Sequence, residues 1–266
     1  MERSQGRNMK NLKSIAVYFI IFQVILLLSL PGAEGQNISE FRSMVYNSYV
    51  KGEMSDWKTA LKEMEKIYEQ SGSEEFLYEL LMAQYGYIGF CLKEEYKKEA
   101  SHLLDKARNN LGILQWRDPG NAELLALEGA FLGYEMGLHK LKAMVLGPKA
   151  KEKINEAVEK DPGLVRTLLE KGNQLYFSPK IVGGDTEEAI EYYKKAINKI
   201  ESDPVSLKQN WIYVNTLLVL AQAYEKMGNY TYACAIYEKI MEYDPDIKWV
   251  RNNLYSGCAG KTGPGQ

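Results

Sequence analysis

The chain has 266 residues, 45% of them hydrophobic and 26% charged, with a formal net charge of −2. That is globular composition, enough for one large core or one elongated array, and its near-neutral balance leaves no basic excess to neutralise phosphates, so nucleic acid is excluded as a partner. Three widely spaced cysteines, Cys91, Cys234 and Cys258, form neither a disulfide framework nor a metal knuckle; buried small hydrophobes are expected at Cys91 and Cys234, with a single pair among the three left open.

The first segment reads as an export signal. Arg3, Arg7, Lys10 and Lys13 precede an apolar run from Ile15 to Leu30, Pro31-Gly32 breaks it, and Ala33 and Gly35 put small residues at the cleavage positions, so cleavage is expected before Gln36. The run is shorter than the roughly 20 residues a spanning helix needs, which makes an uncleaved anchor the lesser alternative. Residues 1–35 are thus expected to be a signal peptide. The mature chain is expected to be exported (periplasmic in a Gram-negative source) and to make no membrane contact.

Helical periodicity then runs almost without interruption. Ile38 to Val50 reads as a first helix, broken by Gly52, and Ser55 or Asp56 is placed to cap a second through Trp57, Leu61, Met64 and Tyr68. Glu74 to Leu92 is helical and rich in aromatics, and its partner, Lys93 to Leu114, places Ala100, Leu104 and Ala107 at spacings of four and three. Asn121 to Leu141 carries the small residues Ala126, Gly129, Ala130 and Gly133, as close helix contact demands. Gly147-Pro148 starts the next helix, where Ala150, Ile154 and Ala157 repeat the same spacing. Leu164 to Leu175 follows, then a long loop from Phe177 to Asp185. A further helix carries Ala189, Tyr193 and Ala196. In that loop Gly183 and Gly184 permit positive φ, and Asp185 or Thr186 can cap the helix. The last pair spans Val214 to Tyr243, broken at Gly228-Asn229, with a short capping helix from Ile247 to Tyr255. Ser256 to Gln266 is Gly-rich and reads as a flexible tail.

Half of the eight prolines sit in Asp-Pro pairs at Asp118, Asp161, Asp203 and Asp244, which are 43, 42 and 41 residues apart. Such a period marks stacked supersecondary units, with Asp placed to cap the next helix and Pro in its first turn. In the last unit Leu217, Leu220, Ala221, Tyr224, Gly228, Tyr230, Ala233, Tyr237 and Pro245 follow a pattern that is similar to the tetratricopeptide repeat, with Ile240 standing where that family prefers Ala. HEAT-like repeats share the longer period and are the rival. The resemblance implies an all-α, right-handed α-solenoid of about five helix hairpins over residues 36–255 with a C-terminal capping helix. The loop Pro179-x-x-x-Gly-Gly-Asp followed by a repeat helix also looks like the periplasmic T-component proteins of TRAP transporters, over roughly Ala122 to Ile200, which implies help to a solute-binding protein.

No catalytic signature survives inspection. His102 and His139 have no ligand-spaced companions, and Gly257-Cys258-Ala259-Gly260-Lys261-Thr262 lacks the first glycine of a phosphate loop, since Tyr255 stands there. No enzyme activity, metal or cofactor is expected. The repeat resemblance implies that the first helix of each pair lines a concave groove. The register of Gly172 turns Arg166, Asn173 and Tyr176 toward it, and that of Ala221 turns Asn215, Gln222 and Glu225. Arg166/Asn173 and Asn215/Gln222 are seven apart and so share a face. A guanidinium and amides there could hold a peptide backbone or a carboxylate. The clamp for chaperone tails is not expected, because Leu169 occupies its lysine position. The expected function is a non-enzymatic scaffold that binds a protein or peptide in this groove, in an envelope transport or assembly system. The alternative is a small-molecule ligand held under the Pro179–Asp185 loop by Tyr134 and Tyr176.

Overall fold

A computed structural model describes residues 31–260, so the expected signal segment lies largely outside the described residues. The described chain contains twelve α-helices and no strand: α1 (Pro31–Lys51), α2 (Met54–Ser71), α3 (Glu74–Lys93), α4 (Lys97–Arg117), α5 (Ala122–Leu138), α6 (Ala143–Lys160), α7 (Val165–Phe177), α8 (Thr186–Glu201), α9 (Pro204–Leu207), α10 (Trp211–Lys226), α11 (Tyr230–Tyr243) and α12 (Lys248–Asn253). Three 3-10 turns accompany them, at Lys140–Lys142, Lys180–Val182 and Tyr255–Gly260. The chain divides into two compact units, residues 1–42 and 43–266; the described part of the first is the N-terminal half of α1, and everything below concerns the second.

Side-chain caps set several of the helix starts. Ser73 Oγ accepts from the Phe76 N–H at 3.3 Å, Asn121 Oδ1 from Glu123 and Leu124, Asp185 Oδ1 from Glu187 and Glu188, and Asn210 Oδ1 from Tyr213, so four helices begin on satisfied side-chain caps. At α2 the cap position falls on Glu53, with no side-chain bond, rather than on Ser55 or Asp56. The Asp-Pro pairs behave in two ways. Asp203 caps the short α9 with Pro204 in its first turn, as the sequence suggests. Asp118, Asp161 and Asp244 instead close the preceding helices in extended or near-extended conformations, because the proline ring drives the residue before it out of the helical region. Two boundaries move for similar local reasons. Glu95 at φ 62° ends the run that would have begun α4 at Lys93, and α6 starts at Ala143, with Pro148 inside it.

Hairpins α3/α4, α5/α6, α7/α8 and α10/α11 each pack internally and each leans on the next in chain order, while α3, α5 and α7 also touch in succession. Ahead of these four pairs α2 leans on α3, and α12 buries Val250 behind the last pair. The fold is an all-α solenoid. The alternation of alanine and large residue works as expected: Ala100, Leu104, Ala107, Ala150, Ile154, Ala157, Ala189, Tyr193 and Ala196 are all buried. Glycine sets the closest approaches. A Cβ on Gly129 would lie 2.5 Å from Ile154 Cγ1, and one on Gly172 would lie 2.7 Å from Tyr193 Cε1, so neither hairpin could close this tightly with alanine there.

The C-terminus differs from its composition. Residues expected to be flexible form the Tyr255–Gly260 turn, and Cys258 is bonded to Cys234 of α11, with Cα atoms 5.9 Å apart. Cys91 is a free buried thiol whose pKa burial pushes up to about 12.

Candidate functional site

The inner helices α3, α5, α7 and α10 converge on one buried polar network. Arg166 on α7 is 3% exposed, and its Nη1 donates to Glu170 Oε1 at 3.1 Å, one turn along the same helix. Its Nε lies 3.8 Å from Glu123 Oε1 of α5, its Nη2 meets Met82 Sδ, and the guanidinium sits 4.7 Å over the Tyr85 ring of α3. Burial alone would lower the Arg166 pKa; Tyr85, Glu170 and Glu123 outweigh it and hold the guanidinium charged. The chain of contacts continues outward. Tyr78 donates to Glu123 at 2.6 Å, Asn173 Nδ2 to Glu170 Oε2 at 3.0 Å, and the Tyr193 hydroxyl to Asn173 Oδ1 at 3.0 Å. Arg166 therefore directs its charge to the protein's own carboxylates and fixes the register of three successive inner helices.

Beside this network the solenoid has curled until its first and last inner helices meet. Trp211, at the start of α10, lies 5.1 Å from Trp57 of α2 and 6.4 Å from Tyr85 of α3, centroid to centroid. Gly86 makes the crossing possible: a Cβ there would stand 2.6 Å from Trp211 and 2.7 Å from Trp57. Tyr134 stacks on Tyr85 at 5.4 Å and donates its hydroxyl to the Tyr85 carbonyl. The space lined by Tyr85, Arg166, Asn173, Trp211 and Asn215 is about 10 Å³, room for about one water.

The C-terminal half of α1 packs beside Asn215 and Trp211. Tyr49 donates to Asn215 Oδ1 at 3.0 Å, Tyr46 to Asp244 Oδ2 at 2.6 Å, and Ser43 to Gln209 Oε1 at 3.0 Å. Trp249 Nε1 donates back to the Tyr49 carbonyl at 3.1 Å, and the Tyr49 ring makes edge contacts with both Trp57 and Trp249. Tyr46 and Val50 belong to the same apolar cluster as α7, α8, α10 and α11. Burial drives the Tyr46 and Tyr49 phenols well above their usual range, with Asp244 adding to the effect at Tyr46. A nine-residue helical segment, Ser43–Lys51, thus lies against residues as far as 200 positions away.

Of the residues the sequence assigns to the groove, Arg166, Asn173 and Asn215 come together around the small cavity, and Tyr134 stands next to them through Tyr85. Tyr176 reaches that group through an edge contact with Tyr193, centroids 6.5 Å apart. Its ring lies 4.5 Å beneath the Lys226 ammonium, which donates to the Tyr176 carbonyl. Gln222 and Glu225 are half-buried farther along α10, where Glu225 adds to the burial that raises the Tyr176 and Tyr237 phenols. Sequence reasoning missed Glu170, although its spacing of four from Arg166 is the ordinary signal of a helical ion pair. It also missed Trp211, Trp57 and Tyr49, whose meeting depends on closure of the array.

With this geometry established, comparison with known proteins places the repeats. One tetratricopeptide-repeat model matches residues 216–246 and another matches residues 183–198. The fold is a tetratricopeptide-repeat solenoid. Among solved structures it is similar to the HusA haemophore from Porphyromonas gingivalis (TM-score 0.54, 16% identity, 68% of this chain and 92% of that one). It is also similar to TTC0263, a tetratricopeptide-repeat protein of Thermus thermophilus (TM-score 0.53, 18% identity, 77% of this chain and 92% of that one). At these identities the likeness is one of fold. No curated protein matches the sequence.

Proposed function

We propose that this protein is an exported, non-enzymatic scaffold whose inner face takes up a helical segment of a protein partner, in the place now held by Ser43–Lys51. The observation that carries the reading is that the face already holds a helix. Tyr46, Tyr49 and Val50 project one aromatic-rich stripe at spacings of three and four, and Asp244, Asn215 and the Trp249 indole receive it with directed hydrogen bonds. This is recognition of an amphipathic helix by its i, i+3, i+4 anchors. A partner segment carrying tyrosines at that spacing would meet the same acceptors. Tetratricopeptide folds are in general protein-interaction scaffolds, which supports the class of function, and the Cys234–Cys258 bond supports an oxidising compartment and hence export. An envelope transport or assembly system is the setting that follows from export and scaffolding together.

The test uses the resident helix as a model partner. The Tyr46→Ala/Tyr49→Ala double variant weakens the resident without touching its acceptors. A labelled peptide spanning residues 38–51 is then added, and its fluorescence anisotropy is followed. The variant should bind the peptide, and should not bind the same peptide carrying the two alanines. No uptake by the variant, or equal uptake of both peptides, overturns the reading.

A further inference from the structure

The α5–α6 and α7–α8 turns, with the helix ends beside them, share an unusual character. Leu141 of the α5–α6 turn and Met144 and Val145 in the first turn of α6 are exposed, as are Phe177 at the end of α7 and Ile181 and Val182 of the α7–α8 turn; Leu141 is 98% exposed, Ile181 93% and Met144 89%. Scattered apolar residues on a surface need no explanation, but six at the ends of two successive hairpins do. The two turns join successive hairpins that pack on each other, and the second lies against α6, where a Cβ on Gly183 would be 3.4 Å from Lys151 Nζ. Both are held out by built structure: each contains a 3-10 turn, and in the second Gly183 takes φ 94° while Gly184 packs against the Ser178 carbonyl. Residues 139–151 contain four lysines and no acidic residue, and residues 177–185 contain one lysine and one acidic residue, Asp185, which is engaged as the cap of α8, in a chain with 33 basic and 35 acidic side chains. Lys142 is paired with Glu135; Lys140, Lys149, Lys151 and Lys180 are exposed and form no ion pair among the described residues.

We propose that this edge of the solenoid docks on an anionic lipid bilayer, with Leu141, Met144 and Ile181 inserted among the acyl chains and Lys140, Lys149, Lys151 and Lys180 against the headgroups. The chemistry favours lipid over a protein partner. Protein interfaces favour arginine and aromatic anchors and are depleted of lysine, whereas here the cations are all lysines and the apolar tips are mostly aliphatic. Lysine stems lie along an apolar surface while their ammonium groups reach the phosphates, which is the arrangement of an interfacial anchor. No helix among the described residues is long and apolar enough to cross a membrane, and surface docking needs none. The proposal departs from the expectation of a mature chain without membrane contact. It does not depend on the proposed partner face, since neither turn contributes to the closed inner network.

Single-cysteine labelling separates this edge from any other membrane contact of the full chain, because the native Cys91 is buried and the other two cysteines are bonded. Leu141→Cys, Ile181→Cys and, as a control on the acidic α3–α4 turn, Tyr96→Cys each carry an environment-sensitive fluorophore. Vesicles of phosphatidylglycerol mixed with phosphatidylcholine should raise the emission at positions 141 and 181 and leave position 96 unchanged. Vesicles of phosphatidylcholine alone should do much less. Reversing Lys140 and Lys180 to Glu should weaken the response by about fivefold or more per site, and raising the salt should weaken it likewise. A flat response at 141 and 181, an equal response at 96, or binding indifferent to the lysine reversals overturns the proposal. These residues are exposed, so the variants keep the helical circular dichroism of the parent, and a variant that lost it would be replaced by Lys140→Gln/Lys180→Gln.

Discussion

Replacing Glu170 with alanine isolates the energetics of the inner network. Arg166 and Glu170 are both almost fully buried, and among the described residues Glu170 supplies the shortest ion-pair contact to the guanidinium, at 3.1 Å. Removing one partner of such a pair leaves an uncompensated buried charge, which costs about 3–5 kcal/mol. Glu123 remains 3.8 Å from Nε and is partly exposed, so the expected cost lies toward the low end, about 3 kcal/mol. Alanine also removes the acceptor of Asn173, consistent with that figure rather than a smaller one. The Arg166→Met/Glu170→Leu double variant replaces the pair with apolar groups of similar volume and should return to within about 1 kcal/mol of the parent. Urea denaturation followed by circular dichroism, together with Arg166→Met and Glu170→Leu alone, completes the cycle. A cost below about 1 kcal/mol for Glu170→Ala, or a double variant as unstable as the sum of the singles, would refute the view that the pair acts as a unit.

Three further outcomes follow from the packing and the titrating groups. Gly172→Ala sets a methyl group against the Tyr193 ring and should cost about 1–3 kcal/mol, visible as a lowered urea midpoint; Gly112→Ala, which meets nothing within 4 Å, should cost no stability. Cys234→Ser/Cys258→Ser opens the loop closed across a sequence separation of 24 and should lower stability by about 3 kcal/mol, whereas reductant should leave the stability of that double variant unchanged. Burial raises the phenols of Tyr46, Tyr49, Tyr78 and Tyr213, so the folded state retains protons that the unfolded chain releases above its usual tyrosine pKa near 10. Stability should therefore hold level below that pH and fall as pH rises beyond it, with phenolate absorbance at about 295 nm appearing together with loss of helix.

Much of the architecture was legible because it is local. The Ala100/Leu104/Ala107 spacing and its repetitions, the Asn121 and Asp185 caps, and the small residues of α5 each state a packing requirement within a few turns of helix. Boundaries slipped where one residue decides the backbone, as at Glu95, or where an Asp-Pro pair ends a helix rather than starting one. The site was legible only in part. Periodicity turned Arg166, Asn173 and Asn215 inward, but it could not show that Glu123 and Glu170 already occupy the guanidinium, or that α1 folds back onto α10 and α12. That closure depends on how far four hairpins rotate together, a quantity that no window of sequence contains. The Cys234–Cys258 bond escaped for the same reason, since it requires the last turn to fold back onto α11.

The claim at the centre of this account is that a partner helix takes the place of Ser43–Lys51. It is tested most directly by fixing that segment where it lies. Ser43→Cys and Gln209→Cys, whose native side chains meet at 3.0 Å, are bridged by a short dithiol-reactive crosslinker, and binding of proteins from an extract of the source cells is compared with the unbridged variant by quantitative mass spectrometry. The account predicts a partner retained by the unbridged protein and lost on bridging; a partner bound equally well by both would contradict it.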